Sequence, residues 1–268
     1  GWILGVPLAV MAALGTGEVY ALSESRGVRP FGGLGAAVAG ALVLIAVARP
    51  DFGSAAPWAL GLLGGLMAVG LTLALGRRGP EGSPLSSVSV TLFGAAYCGL
   101  VLAFVPLLHA LPVGLGWGGT EPTAWAGMLM VVLPLATTWI GDAAAYFAGT
   151  AWGRAKLFPA VSPNQSWVGA WAGVLGSAAA AVGWFLVARS VLPGIPVPHL
   201  GVVVVGGALL GVGAIVGDLV ESLLKREAGV KDSGSLFPGH GGVLDRLDAL
   251  AVTLPLAYLL LMAAEVFA

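Results

Sequence analysis

Charge is scarce in this chain. Only 9% of its 268 residues are charged and 58% are hydrophobic, against roughly one quarter charged in a soluble domain. A water-soluble fold is excluded by that balance. There is no surplus of positive charge either: 12 Lys and Arg stand against 13 Asp and Glu, a net charge of −1. Nucleic acid is therefore excluded as a partner, because its binders need a basic surface to displace counterions from phosphates. The single cysteine, Cys98, lies in an apolar stretch and can form no intrachain disulfide. It carries no signature of an oxidising compartment and reads as a small packing residue. A methionine start is absent, and so is the basic region of a signal peptide. The first apolar run is thus expected to be a true span, entered part-way through a longer gene product.

Apolar runs dominate what is present. A spanning helix needs about 20 mostly apolar residues, and such runs fall near 2–22, 31–48, 56–76, 88–111, 124–149, 166–188, 198–224 and 247–267. The expected fold is all-α: a polytopic membrane protein with eight transmembrane helices in this chain, or nine if the parent protein carries one more ahead of Gly1. A transmembrane barrel would alternate polar and apolar residues in short segments, and these runs are continuous. Most of the 43 glycines sit inside the runs, where they let backbones approach closely in lipid. No internal repeat or low-complexity linker breaks the chain, so it reads as one integral membrane domain. Residues 1–110 would form a helical scaffold and residues 111–268 the functional half. Trp2, Trp58, Trp117, Trp125 and Trp167 mark span ends, as an aromatic belt would.

Basic residues set the expected orientation, because cytoplasmic loops retain positive charge. Arg26, Arg29, Arg77, Arg78, Arg154, Lys156, Lys225, Arg226, Lys231 and Arg246 fall in the odd loops, and only Arg49 and Arg189 in the even ones. The odd loops are expected to face the cytoplasm, with the chain in a bacterial inner membrane.

Ionisable groups inside spans cost at least about 2.5 kcal/mol each on insertion scales, so each is a functional candidate. Asp142, Asp218 and Glu221 qualify, all in the cytoplasmic halves of their helices. Asp245, Arg246 and Asp248 open the last span on the same side, with the two aspartates on neighbouring positions of one helical face. Clustered carboxylates repel one another unless a cation neutralises them, and oxygen-only ligands suit a hard ion such as Mg²⁺. The competing reading pairs Glu221 with Lys225 and Asp248 with Arg246.

The stretch SLLKREAGVKDSGSLFPGHGGVLDRLD, Ser222 to Asp248, gathers four basic residues, a histidine and six glycines or prolines. Lys225, Arg226 and Lys231 can contact phosphate oxygens through charge-assisted bonds. Gly239, Gly241 and Gly242 let backbone amides approach an anion. At these residues the chain resembles the phosphatidate cytidylyltransferases, whose signature is filled by Ser222, Lys225, Arg226, Lys231, Asp232, Gly234, Phe237, Pro238, His240, Gly241, Gly242, Asp245, Arg246 and Asp248. The resemblance extends through Gly217, Asp218 and Glu221, and more loosely through Asp142, Tyr146, Gly149, Gly153 and SPNQSWVG, from Ser162 to Gly169.

The resemblance implies an enzyme that joins CTP and phosphatidic acid into CDP-diacylglycerol and pyrophosphate. It implies Mg²⁺, with room for a second, monovalent cation such as K⁺ and for a homodimer. Carried over, Asp218 and Asp245 are the principal metal ligands, with Glu221 beside them and Asp142 and Asp248 supporting. Lys225 is catalytic, and Ser222, Arg226, Lys231, His240, Gly241, Gly242, Arg246 and Ser162 bind substrate. Asn164, Gln165 and Val168 depart from the family's usual basic and acidic residues there, as do Ala143 and Ala144 from its small polar or glycine residues. The rival readings are a CTP-dependent polyprenol or phytol kinase, a transporter, and a non-catalytic homologue. A transporter should show broken helices in repeated halves, and the sequence shows none. If the orientation is right, cysteines placed between Lys225 and Leu244 resist a membrane-impermeant thiol reagent applied from outside; modification there would reverse it.

Overall fold

Helices form where the apolar runs fall. The computed structural model describes residues 1–117, 124–192, 195, 198–236, 239 and 241–266. Its elements, in order, are α1 (Trp2–Glu24), α2 (Gly32–Ala48), α3 (Phe52–Arg77), a 3₁₀ turn (Pro80–Gly82), α4 (Pro84–Gly114), α5 (Ala124–Trp152), β1 (Lys156–Phe158), β2 (Ser162–Ser166), α6 (Trp167–Val191), α7 (Leu200–Ala228), α8 (Leu244–Leu247) and α9 (Leu250–Val266). Among the described residues seven segments are long and apolar enough to cross a membrane, and α2 is a shorter apolar helix of 17 residues. The chain is an all-α polytopic membrane protein, with helices at all eight expected positions.

The β1–β2 ribbon is the one addition among the described residues. Its strands are antiparallel, with Lys156 opposite Ser166 and Phe158 opposite Ser162. A short polar segment containing Pro163 gives no strand signal in sequence, since proline demotes a strand to an edge. The ribbon leads directly into α6, whose first turn is capped by Ser166: its Oγ accepts from the Gly169 amide at 3.1 Å.

Two compact units make up the chain. The first comprises Gly1–Leu107 with Leu224–Leu247, and the second Leu108–Leu223 with Asp248–Ala268. Residues 224–247 are thus grouped with the N-terminal helices. Within the first unit, helix contacts are built on small residues: a Cβ on Gly5 would stand 2.4 Å from Val47, and one on Gly99 2.8 Å from the Ala39 Cα. Tyr20 crosses this packing, and its hydroxyl donates to the Thr91 carbonyl at 2.7 Å. Cys98 is fully buried in the cluster of Val19, Tyr20, Leu22 and Leu244, as a packing residue should be.

The second unit pairs α5 with α6 at similarly short range. Gly141 on α5 faces Gly173 and Ser177 on α6, and Gly169 faces the Ala145 carbonyl. The Ser177 hydroxyl donates to the Thr137 carbonyl at 2.8 Å, and the Trp184 indole to the Leu129 carbonyl at 2.6 Å. Such bonds satisfy polar groups that lipid cannot. Trp2, Trp58, Trp125 and Trp167 are exposed, while Trp117 is 2% exposed and belongs to the core rather than to an aromatic belt.

The glycine packing has a measurable consequence. Gly99→Ala pushes a methyl into the Ala39 backbone, whereas Gly183 has nothing within 4 Å. Gly99→Ala should cost about 1–3 kcal/mol, and Gly183→Ala should be neutral or stabilising by up to about 1 kcal/mol. Thermal unfolding in detergent checks this, and equal shifts would refute the packing assignment.

Candidate active site

The end of α7 positions the first basic pair of the signature. Gly229 adopts φ 75°, the left-handed conformation that favours glycine. Its amide bonds to the Arg226 carbonyl at 3.1 Å, and the Val230 amide to that of Lys225 at 3.0 Å. This is a Schellman stop, and it leaves Lys225 and Arg226 in the last helical turn, where positive charge is favoured. Arg226 is exposed and donates to the Val230 carbonyl at 3.2 Å. Ser222 lies half-buried one turn earlier, and Lys231 is exposed just beyond the turn.

In the first unit the loop closes on two carboxylates. Asp245, on α8, accepts from the Ser233 amide at 2.9 Å, the Ser233 hydroxyl at 2.8 Å and the Gly242 amide at 2.8 Å, all on Oδ2. Its Oδ1 accepts from Lys225 Nζ at 2.7 Å, in an ion pair whose side chains are only 13% and 8% exposed. Gly241 has φ 79°, and a Cβ there would meet the Asp245 carboxylate at 2.3 Å. The anion that Gly242 approaches in this structure is thus a side chain of the loop's own helix. Arg246 is exposed on α8. His240, with Phe237 and Pro238, lies outside the described residues.

Glu18 is the second carboxylate, and the sequence reading missed it. It projects from α1 and accepts from the Val243 amide at 2.9 Å and the Leu244 amide at 2.8 Å, and it shares the single proton of the Ser233 hydroxyl, 2.9 Å away, with Asp245. Gly234 and Gly242 lie so close that a Cβ on either would stand 2.6 or 2.3 Å from it. A signal was available: Glu18 is an ionisable residue inside the first apolar run, as Asp142 is inside the fifth. Ser233, which touches both carboxylates, offered no such signal.

The second unit holds the remaining acidic candidates. Asp218 is half-buried on α7, and the Gln165 side-chain amide from β2 donates to its Oδ2. Glu221, three residues on, is fully buried. Asp142 is exposed on α5, within electrostatic reach of Asp218 and Asp248. Asp248 sits half-buried ahead of α9, its Oδ1 accepting from the Ala249 amide at 2.7 Å. Gly217 permits this arrangement, since a Cβ there would meet the Asp248 carbonyl at 2.4 Å. Ser162 is half-buried at the start of β2. Gln165, noted in sequence only as a departure, is thus bonded to a candidate ligand.

The donor chemistry fits a hard divalent ion, since Asp142, Asp218 and Asp248 offer only oxygen. The buried Gln165 Oε1, beside Asp218, has no hydrogen-bond partner among the described residues and leaves an acceptor for a donor such as a metal-bound water. Among the described residues, no three His, Cys, Asp or Glu side chains are close enough together to hold an ion by themselves. Mg²⁺ asks for no such cage, being commonly held by one or two carboxylates with waters and substrate phosphates.

Comparison with known proteins then places the chain. A model described as "Cytidylyltransferase family" matches residues 1–264. A chloroplastic phosphatidate cytidylyltransferase 5 of Arabidopsis thaliana is 33% identical over 96% of this chain and 65% of its own length. A phosphatidate cytidylyltransferase of Synechocystis sp. is 31% identical, covering 96% of this chain and 88% of that protein. One from Brucella suis is 46% identical over 53% of this chain and 48% of the relative. The chain therefore spans between about half and nine-tenths of the length of these relatives. With nearly its whole length matched, the chain belongs to the cytidylyltransferase family.

Proposed function

We propose that this protein is a phosphatidate cytidylyltransferase: it joins CTP to phosphatidic acid to give CDP-diacylglycerol and pyrophosphate. The observation that carries this is the complete signature from Ser222 to Asp248, in a chain that a cytidylyltransferase model matches from residue 1 to 264. The relatives are phosphatidate cytidylyltransferases by name, which supports the same reaction.

In the proposed reaction a phosphate oxygen of phosphatidic acid attacks the α-phosphorus of CTP. A new P–O–P bond forms, the α–β bond of CTP breaks, and pyrophosphate leaves with the electron pair. A phosphate monoester is already ionised at neutral pH, so no general base is required. The protein's part is positioning and charge stabilisation. Lys225, oriented by Asp245, would hold phosphate oxygens together with Arg226, Lys231 and Arg246. Ser222, His240, Gly241, Gly242 and Ser162 are carried as substrate contacts on the motif alone. Asp218, oriented by Gln165, would hold Mg²⁺ with Asp142 and Asp248 as supporting charge, and the motif adds Glu221 and Asp245 as ligands. When bound, the ion would neutralise phosphate charge that builds up in the transfer. The ten basic residues of the odd loops support a cytoplasmic face for these groups.

Purified protein given CTP, Mg²⁺ and phosphatidic acid should form CDP-diacylglycerol, identified by mass spectrometry, with one pyrophosphate released for each. Asp218→Asn keeps size and removes charge, so turnover should fall by orders of magnitude with folding nearly unchanged. Full activity in that variant would remove Asp218 from the site.

Gln165 gives a separate test. Gln165→Lys would bring a cation to Asp218, while Gln165→Ala removes the donor that orients it. The Ala variant should require more Mg²⁺ for half-maximal turnover, because partners that orient ligands commonly tune metal affinity by about 10–100-fold. A Mg²⁺ requirement equal to wild type would show that the Gln165 contact orients nothing.

A further inference from the structure

We propose that Glu18 is a positioning residue for the reaction, the acceptor in the first helix that fixes the glycine loop and, through it, Lys225. The proposal deepens the cytidylyltransferase reading and rests on it for the role of Lys225. Its basis is a continuous set of contacts within the first unit. Glu18 accepts from the Val243 and Leu244 amides at 2.9 and 2.8 Å, across 225 and 226 residues of sequence. Its Oε2 lies 2.9 Å from the Ser233 hydroxyl, which lies 2.8 Å from Asp245 Oδ2, and Asp245 Oδ1 holds Lys225 Nζ at 2.7 Å. Three side chains thus link α1 to the catalytic lysine.

Several features separate this from ordinary packing. Among the described residues Glu18 makes no ion pair, and the donors that face it are neutral: two backbone amides and a hydroxyl whose one proton is shared with Asp245. A carboxylate in an apolar span is expensive, and an alanine or leucine would pack α1 at less cost. The loop is also shaped around it, because Gly234 and Gly242 leave room for the carboxylate where a Cβ would collide. The two amides it holds directly precede Asp245, so releasing them frees the residue that orients Lys225. Hydrogen bonds to charged acceptors are the stronger class, which suits a contact that must keep a loop in place beside exposed residues.

The test uses the full chain and the variants Glu18→Gln and Ser233→Ala. Glu18→Gln turns one acceptor oxygen into an NH₂ group facing an amide N–H. Ser233→Ala is the milder change, leaving both Glu18–amide bonds intact. Three readouts are taken: amide hydrogen exchange at Val243 and Leu244, acylation of Lys225 by acetic anhydride, and the CTP dissociation constant with Mg²⁺ but without phosphatidic acid. In Glu18→Gln, exchange and acylation should each rise about tenfold, and CTP should bind about tenfold more weakly. Exchange within α2 and α3 should stay at the wild-type rate. Ser233→Ala should raise acylation with little change at the two amides.

Unchanged exchange and acylation in Glu18→Gln would overturn the proposal. So would faster exchange with wild-type acylation, which would leave Glu18 a structural anchor with no hold on Lys225. Failure of the cytidylyltransferase reading shows differently: the wild-type protein would form no CDP-diacylglycerol, whatever exchange and acylation report.

Discussion

A carboxylate carried on a membrane-spanning helix must bring its own hydrogen-bond donors, because lipid supplies none. That constraint accounts for much of the structure around the candidate site. Glu18 obtains two backbone amides, Asp245 obtains two amides and a lysine, and the two carboxylates share the one proton of the Ser233 hydroxyl. Asp218 obtains the side-chain amide of Gln165. In each case the donor comes from a distant stretch of sequence or from a sharply turned backbone. The folding of the polar loops is therefore coupled to the placement of the acids.

Glycine makes those turns and approaches feasible. Gly229 takes the left-handed conformation that ends α7 immediately after the basic pair, and Gly241 takes it where a Cβ would strike Asp245. The same residue type serves helix packing elsewhere, as between α5 and α6, where Gly141 and Gly173 face each other. Glycine abundance in this chain thus has two separate physical causes. Close helix contact in lipid accounts for the first, and backbone donors brought to a carboxylate for the second.

Much of this could be read in sequence, for stated reasons. The eight helices were legible because a span needs about 20 apolar residues and nothing else in a chain looks like that. The Ser222–Asp248 segment was legible because its residue types are scarce elsewhere and their spacing is specific. Glu18 was not read because it stood in a run judged by its mean apolarity, although its charge alone should have set it apart. Gln165 was not read because its partner lies on another element and its side chain is uncharged. The β1–β2 ribbon escaped because a two-stranded polar hairpin with a proline has almost no periodic signal. The partition that groups residues 224–247 with the N-terminal helices depends on three-dimensional packing, which no linear pattern encodes.

The central claim is a choice of phosphorus: in a cytidylyltransferase the lipid phosphate attacks the α-phosphorus of CTP, whereas in a CTP-dependent lipid kinase the acceptor attacks the γ-phosphorus. Purified protein, phosphatidic acid and Mg²⁺ are incubated with CTP labelled with ³²P at either position, and the lipid is extracted and counted. The account predicts label in the lipid only from α-labelled CTP, with γ-label recovered as pyrophosphate. Lipid labelled from γ-labelled CTP, or no labelled lipid from either, would contradict it.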